Sequence, residues 1–181
     1  MTPELGNFAL VLALVLALVQ SSLPLIGAWR NHSGMMALAR STAYGQFAFL
    51  LVSYLILTAA FVQQDFSVLY VANNSNTLLP MMYRISAVWG AHEGSLLLWV
   101  LILSAWTVAV AAFSRSLPLP VVARVLAVMG WVSVGFLLFT LLTSNPFERA
   151  LPAPLEGRDL NPLLQDPGLI IHPPMLYAGY V

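Results

Sequence analysis

Of the three histidines in this sequence, His172 is the side chain best suited to bind a metal. It lies in the run Ile170–Pro174, directly before two prolines. Proline fixes its own φ and biases the preceding residue toward extended backbone, so we expect His172 to lie just before a helix that starts near Pro174. Its neutral imidazole would be free to ligate a metal. A structural role for a lone histidine stays open as the alternative, and Met175 is either a soft axial partner or a packing residue.

The pair His92-Glu93 is a second candidate for chemistry. The zinc motif His-Glu-x-x-His needs another histidine at position 96, which is a leucine, so that kind of zinc site is rejected. The pair is flanked by glycines, which allow a turn or close packing. It therefore either forms a turn that caps a helix through Gly94 or Ser95, or contributes directly to a site.

Tryptophans accompany this pair. Trp99 and Trp106 are seven residues apart and share one helix face, and Trp89 comes shortly before them. Two interpretations stay open for this aromatic stripe. It is either an interfacial belt that also packs helices, or a surface on which a flat aromatic cofactor lies.

Membrane-spanning helices must position these residues. Hydrophobic residues make up 60% of the 181-residue chain and charged residues 8%, and the mean hydropathy is +0.85. Soluble domains carry about 25% charged residues, so we predict an all-α, polytopic transmembrane helical bundle. Charge-free stretches predict four complete spans and the start of a fifth. The spans lie near 6–28, 44–63, 96–114 and 119–143.

Two long loops are predicted, over 64–95 and 144–174. The charge-free part 66–83 is read as loop because its centre, Asn73–Asn76, is too polar for lipid. The second loop holds seven of the twelve prolines and is expected to be irregular but stiff. We expect its acids Asp159 and Asp166 to pair with Arg149 or Arg158. Because the fifth helix has no room to finish, we expect the chain to be the N-terminal part of a longer protein.

Basic and acidic residues are distributed unequally among the connections between the predicted spans. The first and third connections contain arginines and no acids, whereas all seven acids lie in the N-terminus and in the two long loops. Basic residues in short loops mark the cytoplasmic side. We therefore expect the N-terminus and both long loops to lie outside. The four arginines of the inner connections are Arg30, Arg40, Arg115 and Arg124.

Several function classes are disfavoured by the composition. Seven arginines without lysine, at zero net charge, give no basic patch for nucleic acid. The absence of cysteine excludes thiolate ligands and thiol nucleophiles. The span centres carry no ionisable residue, which argues against ion transport. A non-catalytic helical subunit of a membrane transport or respiratory assembly, or a purely structural assembly subunit, stays open as an alternative.

Three stretches of the sequence resemble the N-terminal part of the CcmF-type cytochrome c haem lyase family: Pro3–Gly6, Tyr83–Trp99 and Gly157–Pro174. The resemblance covers essentially the whole chain. It implies a protein of the bacterial cytoplasmic (inner) membrane that receives haem b, as its substrate, from the haem chaperone CcmE. With a CcmH-type thiol partner, the family joins haem to the Cys-x-x-Cys-His motif of apocytochrome c on the periplasmic side.

The resemblance also implies site residues. His172, by its setting, matches a histidine that ligates the haem iron, and this is the metal role we expect for it. Trp89, His92, Glu93 and Trp99 are candidates for haem contact or structural support. The family's tryptophan-rich segment, second external histidine and resident-haem histidines should lie beyond Val181. We therefore expect this chain alone to be inactive as a haem lyase.

Overall fold

The computed structural model describes residues 1–180, which form seven α-helices and one short 3-10 helix. The α-helices are α1 (Thr2–Arg30), α2 (Ser33–Gln63), α3 (Leu69–Asn74), α4 (Met81–Ala87), α5 (His92–Phe113), α6 (Leu119–Thr143) and α7 (Pro167–Tyr180), and the 3-10 helix is Pro162–Gln165. No strand occurs within residues 1–180, where a single isolated bridge joins Val68 and Arg149. The predicted all-α class is confirmed.

Four of these helices, α1, α2, α5 and α6, are long and apolar enough to cross a membrane. The prediction of four spans in a polytopic bundle is therefore confirmed, but three of them begin earlier than expected, the first being α1 at Thr2 rather than near 6. Helix α5 begins at His92 rather than near 96, and α2 at Ser33 rather than near 44. The α1–α2 connection is only Asn31 in the left-handed region and His32, whose Nδ1 accepts from the Met35 N–H at 3.3 Å. This tight cap starts α2 directly after α1, so Arg40 lies within the helix and not in a loop before it.

The long helices pack closely where small residues face their neighbours. A Cβ on Gly130 of α6 would lie 3.0 Å from the Ser21 backbone nitrogen of α1. Beside it, the fully buried Gln20 donates from Nε2 to the Leu126 carbonyl at 2.8 Å. In a bilayer, small residues and interhelical hydrogen bonds of this kind hold helices together, since lipid is as apolar as the side chains.

The segment between α2 and α5 is not the continuous loop predicted over 64–95. Buried Tyr70 packs edge-on against Phe61 of α2, with ring centroids 5.2 Å apart. This contact anchors the short helix α3, and α4 follows Pro80. The polar residues 73–76 lie at the end of α3 and just after it, outside the four spans.

The loop predicted over 144–174 ends earlier than expected, because α7 already begins at Pro167. The expectation that His172 is extended, with a helix starting near Pro174, is wrong. Proline is well tolerated in a first helical turn, and the Asp166 Oδ1 accepts from the Gly168 N–H at 2.8 Å and the Leu169 N–H at 3.2 Å. This cap starts the helix at Pro167. Pro173 and Pro174 lie inside α7, so the bias of a residue that precedes a proline acts here only as a preference.

Alternation of the four long helices separates the charges into two ends of the bundle. We call the end with Glu4, Asp65, Glu93 and residues 144–166 the acidic end, and the end with Arg30, Arg40, Arg115 and Arg124 the basic end. A side-chain hydrogen bond joins separate segments at each end. Asn145 donates to Asn7 at 3.0 Å at the acidic end, and Arg40 donates to the Ser114 carbonyl at 3.2 Å at the basic end.

Candidate functional site

Tyr70 of α3 organises the backbone that leads into α5. Its hydroxyl donates to the Val88 carbonyl at 3.1 Å and accepts from the Ala91 N–H at 3.2 Å. A Cβ on Gly94 would overlap the Val88 carbonyl oxygen and lie 2.7 Å from the Tyr70 hydroxyl. Burial raises the pKa of Tyr70 well above its ordinary value, so the hydroxyl stays a neutral hydrogen-bonding group. The turn before α5 is thus held rigidly.

The two sequence blocks that carry the candidate residues meet in space. The Trp89 indole Nε1 donates to the Ile170 carbonyl of α7 at 2.9 Å. Next to it, a Cβ on Gly90 would lie 3.1 Å from Leu164 and 3.3 Å from Leu160. The segment around His92 therefore supports the segment that carries His172.

Trp99 packs between two helices. Its ring stacks on Tyr177 of α7 with centroids 5.6 Å apart and planes 6° apart, and it is tilted against Phe136 of α6 at 5.1 Å. Helix packing, one of the two interpretations of the tryptophan stripe, is therefore observed for Trp99. Trp106, two turns further along, is 48% exposed.

His172 lies in α7 with an exposed side chain. Within residues 1–180 its imidazole makes no hydrogen bond or ion pair, and Met175 in the next turn is also exposed. Over the same residues, no group of three or more His, Asp or Glu side chains is placed to hold a metal ion. His172 is therefore a single exposed nitrogen donor, and its role as a haem ligand remains a prediction.

His92 and Glu93 lie in the first turn of α5. The predicted capping by Gly94 or Ser95 is wrong, because the N-cap position is Ala91 and the Ser95 hydroxyl instead donates to the Trp89 carbonyl at 2.7 Å. Glu93 lies where the helix dipole favours a carboxylate. The exposed His92 ring meets Phe139 of α6 edge-on at 6.0 Å.

Two open apolar grooves run beside these residues. The larger, of about 370 Å³, lies next to His92 and is lined by Leu96, Val132, Gly135, Phe136 and Phe139. The smaller, of about 250 Å³, is lined by Trp99, Leu176, Tyr177 and Tyr180. Apolar and aromatic walls with a few polar groups at the margin suit a flat hydrophobic ligand.

An ion-pair cluster that sequence reasoning missed ties the acidic end together. Arg149 lies 3.0 Å from Glu4 and 3.6 Å from Asp65, and it also donates to the Ser67 hydroxyl. The predicted pairing of Arg149 or Arg158 with Asp159 or Asp166 is wrong. Asp166 caps α7, and Asp159 accepts from the Asn76 amide at 3.2 Å. The acidic residues of the sequence indicated that ion pairs would form, but not which arginine each acid would contact.

The family match coincides with these residues. The family described as "Cytochrome C assembly protein" matches residues 89–181. That range is about half of the chain and contains Trp89, His92, Glu93, Trp99 and His172. The chain belongs to the cytochrome c assembly protein family.

Relatives of this family member agree along its whole length. It is 67% identical to the cytochrome c-type biogenesis protein CcmF of Pseudomonas aeruginosa, over 100% of the chain and 28% of that protein. It is 63% identical to CcmF of Escherichia coli K12, again over 100% of the chain and 28% of that protein. A solved structure named "Cytochrome c Heme Lyase CcmF" superposes with a TM-score of 0.87 at 27% identity, over 99% of this chain and 28% of that one. The chain thus spans little more than a quarter of these relatives.

Proposed function

We propose that this member of the cytochrome c assembly family handles haem b as a substrate at the acidic end of its bundle, as part of a haem lyase complex that attaches haem to apocytochrome c. The observation that carries the proposal is the hydrogen bond from Trp89 to the Ile170 carbonyl. It joins α7, with the exposed His172, to the block that contains His92, Glu93 and Trp99.

His172 is proposed to ligate the haem iron. Histidine nitrogen is a standard haem ligand, and this imidazole is exposed and makes no hydrogen bond within residues 1–180. Bound haem supplies the chemistry itself, since its vinyl groups accept the thiols of the apocytochrome. The chain's own contribution is to hold one iron ligand on α7, which is hydrogen-bonded to Trp89.

The aromatic residues around α7 are proposed to orient the haem and the helix. Trp99 and Tyr177 form a rigid stacked pair that fixes α7 against α5, and they line the smaller groove. His92 lies beside the larger groove, and Glu93 is the next residue of α5. Both are proposed to support the haem edge or the loops over it. Trp89 acts by positioning α7.

The acidic end is proposed to face the periplasm, with the N-terminus outside and the basic end in the cytoplasm. This multi-pass membrane protein would then lie in the bacterial inner membrane. The charge separation between the two ends supports this orientation. The haem chaperone CcmE, a CcmH-type thiol protein and apocytochrome c are the proposed partners, and all of them would meet the chain at the acidic end.

The test replaces His172 by Asn in the full-length protein, because the chain is a small part of its relatives. We expect a loss of holocytochrome c, measured by staining for covalently bound haem, and a weaker Soret band in the purified protein. His32→Asn is the matched control. His32 is an exposed histidine at the basic end that caps α2, and asparagine also caps helices.

Normal holocytochrome yield from the His172→Asn variant would overturn the proposal. A colourless full-length protein that folds normally, in cells that still mature cytochrome c, would instead favour the non-catalytic subunit. Equal losses in both histidine variants would indicate that folding, and not haem ligation, had been measured.

A further inference from the structure

Within residues 1–180, the basic end contains arginines but no Asp or Glu side chain. Arg30, Arg40, Arg115 and Arg124 all lie there, whereas every Asp and Glu of the chain belongs to the acidic end. The three ion pairs of the described residues all lie at the acidic end as well. The basic end therefore keeps a concentrated positive charge that an anion can neutralise.

A junction between α2 and α5 provides a specific place for that anion. Arg40 reaches from α2 to the end of α5, where its Nη2 donates to the Ser114 carbonyl at 3.2 Å. Its neighbours Ala39 and Ala43 are buried against Ala111 of α5. This packing brings α2 close to the end of α5, and the hydrogen bond places the Arg40 guanidinium beside Ser114.

Two buried donors at this junction have no acceptor. The Arg40 Nε and the Ser114 hydroxyl are both buried and make no hydrogen bond within residues 1–180. An unpaired buried donor is costly, and more so when it is charged. Arg40 and Ser114 as whole residues are only half-buried, so this pair of donors lies close to the surface. Exposed Arg115 follows Ser114 directly and adds a second positive charge.

The apolar residues around the junction indicate a lipid as the source of the anion. Phe113, just before Ser114, is 88% exposed, and Leu117 is 52% exposed. Trp29, at the same end, is 79% exposed. Tryptophan is enriched at the level of the lipid headgroups, and the exposed side chains of Phe113 and Leu117 offer an apolar surface to acyl chains.

We propose that Arg40, Ser114 and Arg115 bind the phosphate of an anionic phospholipid, whose acyl chains lie along Phe113 and Leu117. A phosphate oxygen accepts from the Arg40 guanidinium and from the Ser114 hydroxyl, and Arg115 contacts the same headgroup. Charge-assisted hydrogen bonds to phosphate are among the stronger polar contacts of proteins. The site is independent of haem handling, since it lies at the opposite end of the bundle.

The test uses native mass spectrometry of the full-length protein with phosphatidylglycerol and phosphatidylcholine of equal chain length. The wild type should retain phosphatidylglycerol preferentially. Arg40→Gln and Arg115→Gln should each lower its retention about fivefold, as expected for one arginine at an anionic headgroup. Arg30→Gln is the matched control, because Arg30 is exposed at the same end and its side chain makes no hydrogen bond within residues 1–180. This control should keep the wild-type preference.

Three outcomes would overturn the proposal. The first is equal retention of the two lipids by the wild type. The second is an Arg30→Gln loss as large as the other two, which would indicate diffuse attraction to the end as a whole. The third is displacement of the lipid by glycerol phosphate, which would indicate a site for soluble phosphate. If Arg40→Gln fails to fold, exposed Arg115, which also makes no hydrogen bond within residues 1–180, still decides the test.

Discussion

At the scale of single residues, Gly94 shows how little room surrounds the candidate site. The position of its missing Cβ is taken by the Val88 carbonyl oxygen and the Tyr70 ring. A second helical glycine, Gly135, offers the opposite case, because no atom lies within 4 Å of a Cβ built on it. Close packing therefore requires a glycine at position 94 but not at position 135.

We expect Gly94→Ala to lower the free energy of unfolding by about 3 kcal/mol, the upper range for overpacking a tight site. Gly135→Ala should raise it by about 0.5–1 kcal/mol, because alanine is the better helix former. Unfolding of the full-length protein in detergent, followed by circular dichroism, measures both. Equal tolerance of the two substitutions would contradict the close packing at Gly94.

His172 marks the limit of reasoning from one residue. Its exposure and its position beside the tryptophan block agree with a ligand role, but the extended backbone that the two prolines favoured does not occur. A cap from Asp166 starts α7 ahead of His172, and the helix continues through Pro173 and Pro174. Such a cap depends on a few neighbouring atoms, which a bias measured over many proteins does not capture.

At the scale of elements, the connections on the acidic end hold one another through polar contacts. The Glu156 carboxylate accepts from the Thr77 N–H at 2.9 Å and from the Thr77 hydroxyl at 2.6 Å. The Arg158 N–H donates to the Ala72 carbonyl of α3 at 2.7 Å. The long proline-rich connection is therefore fastened to the α3–α4 segment instead of moving freely.

The Glu156 contact should depend on pH. Hydrogen bonds from Thr77 lower the pKa of Glu156 below its ordinary value of 4.5. A carboxylate with a lowered folded-state pKa stabilises the fold above that ordinary value, and this contribution is lost as the pH falls through the lowered pKa. We expect amide exchange at Thr77, corrected for intrinsic rates, to increase over that acidic range.

Glu156→Gln is the matched variant for this measurement, because the amide keeps an acceptor but does not titrate near that range. Its exchange at Thr77 should be faster than in the wild type at neutral pH and nearly independent of pH. An equal pH dependence in variant and wild type would mean that another group controls this contact.

At the scale of the whole molecule, the fold turns a neutral chain into a strongly polarised one. Antiparallel packing of α1 with α2 and of α5 with α6 places Arg30, Arg40, Arg115 and Arg124 at one end. The acids collect at the other end, where Arg149 bridges Glu4 and Asp65. This polarity predicts the orientation in the membrane.

Because residues 1–181 contain no cysteine, single-cysteine labelling can test that orientation in a full-length protein freed of other cysteines. Leu155 at the acidic end is 100% exposed, and Ser116 at the basic end is exposed as well. In intact cells, a maleimide that crosses only the outer membrane should label Leu155→Cys. Ser116→Cys should react only after the inner membrane is permeabilised, and the reverse pattern would contradict the orientation.

The spans were predictable because they depend on local sums. Each long helix carries enough consecutive apolar residues to cross a bilayer, and this can be counted without knowing its neighbours. Their ends were less predictable. Helix α2 begins at Ser33 through a cap made by His32, and a charge-free count placed the start after Arg40.

The amino-acid sequence by itself determined the membrane class, the four spans and the separation of charge, because hydrophobicity and charge are properties of the residues themselves. It also pointed to Trp89, His92, Glu93, Trp99 and His172, by their types and by family resemblance. Only the tertiary structure decided that Trp89 bonds to Ile170, that Trp99 stacks on Tyr177 and that Arg149 pairs with Glu4. These contacts join residues far apart in the chain, so they depend on how whole helices pack and not on any local pattern.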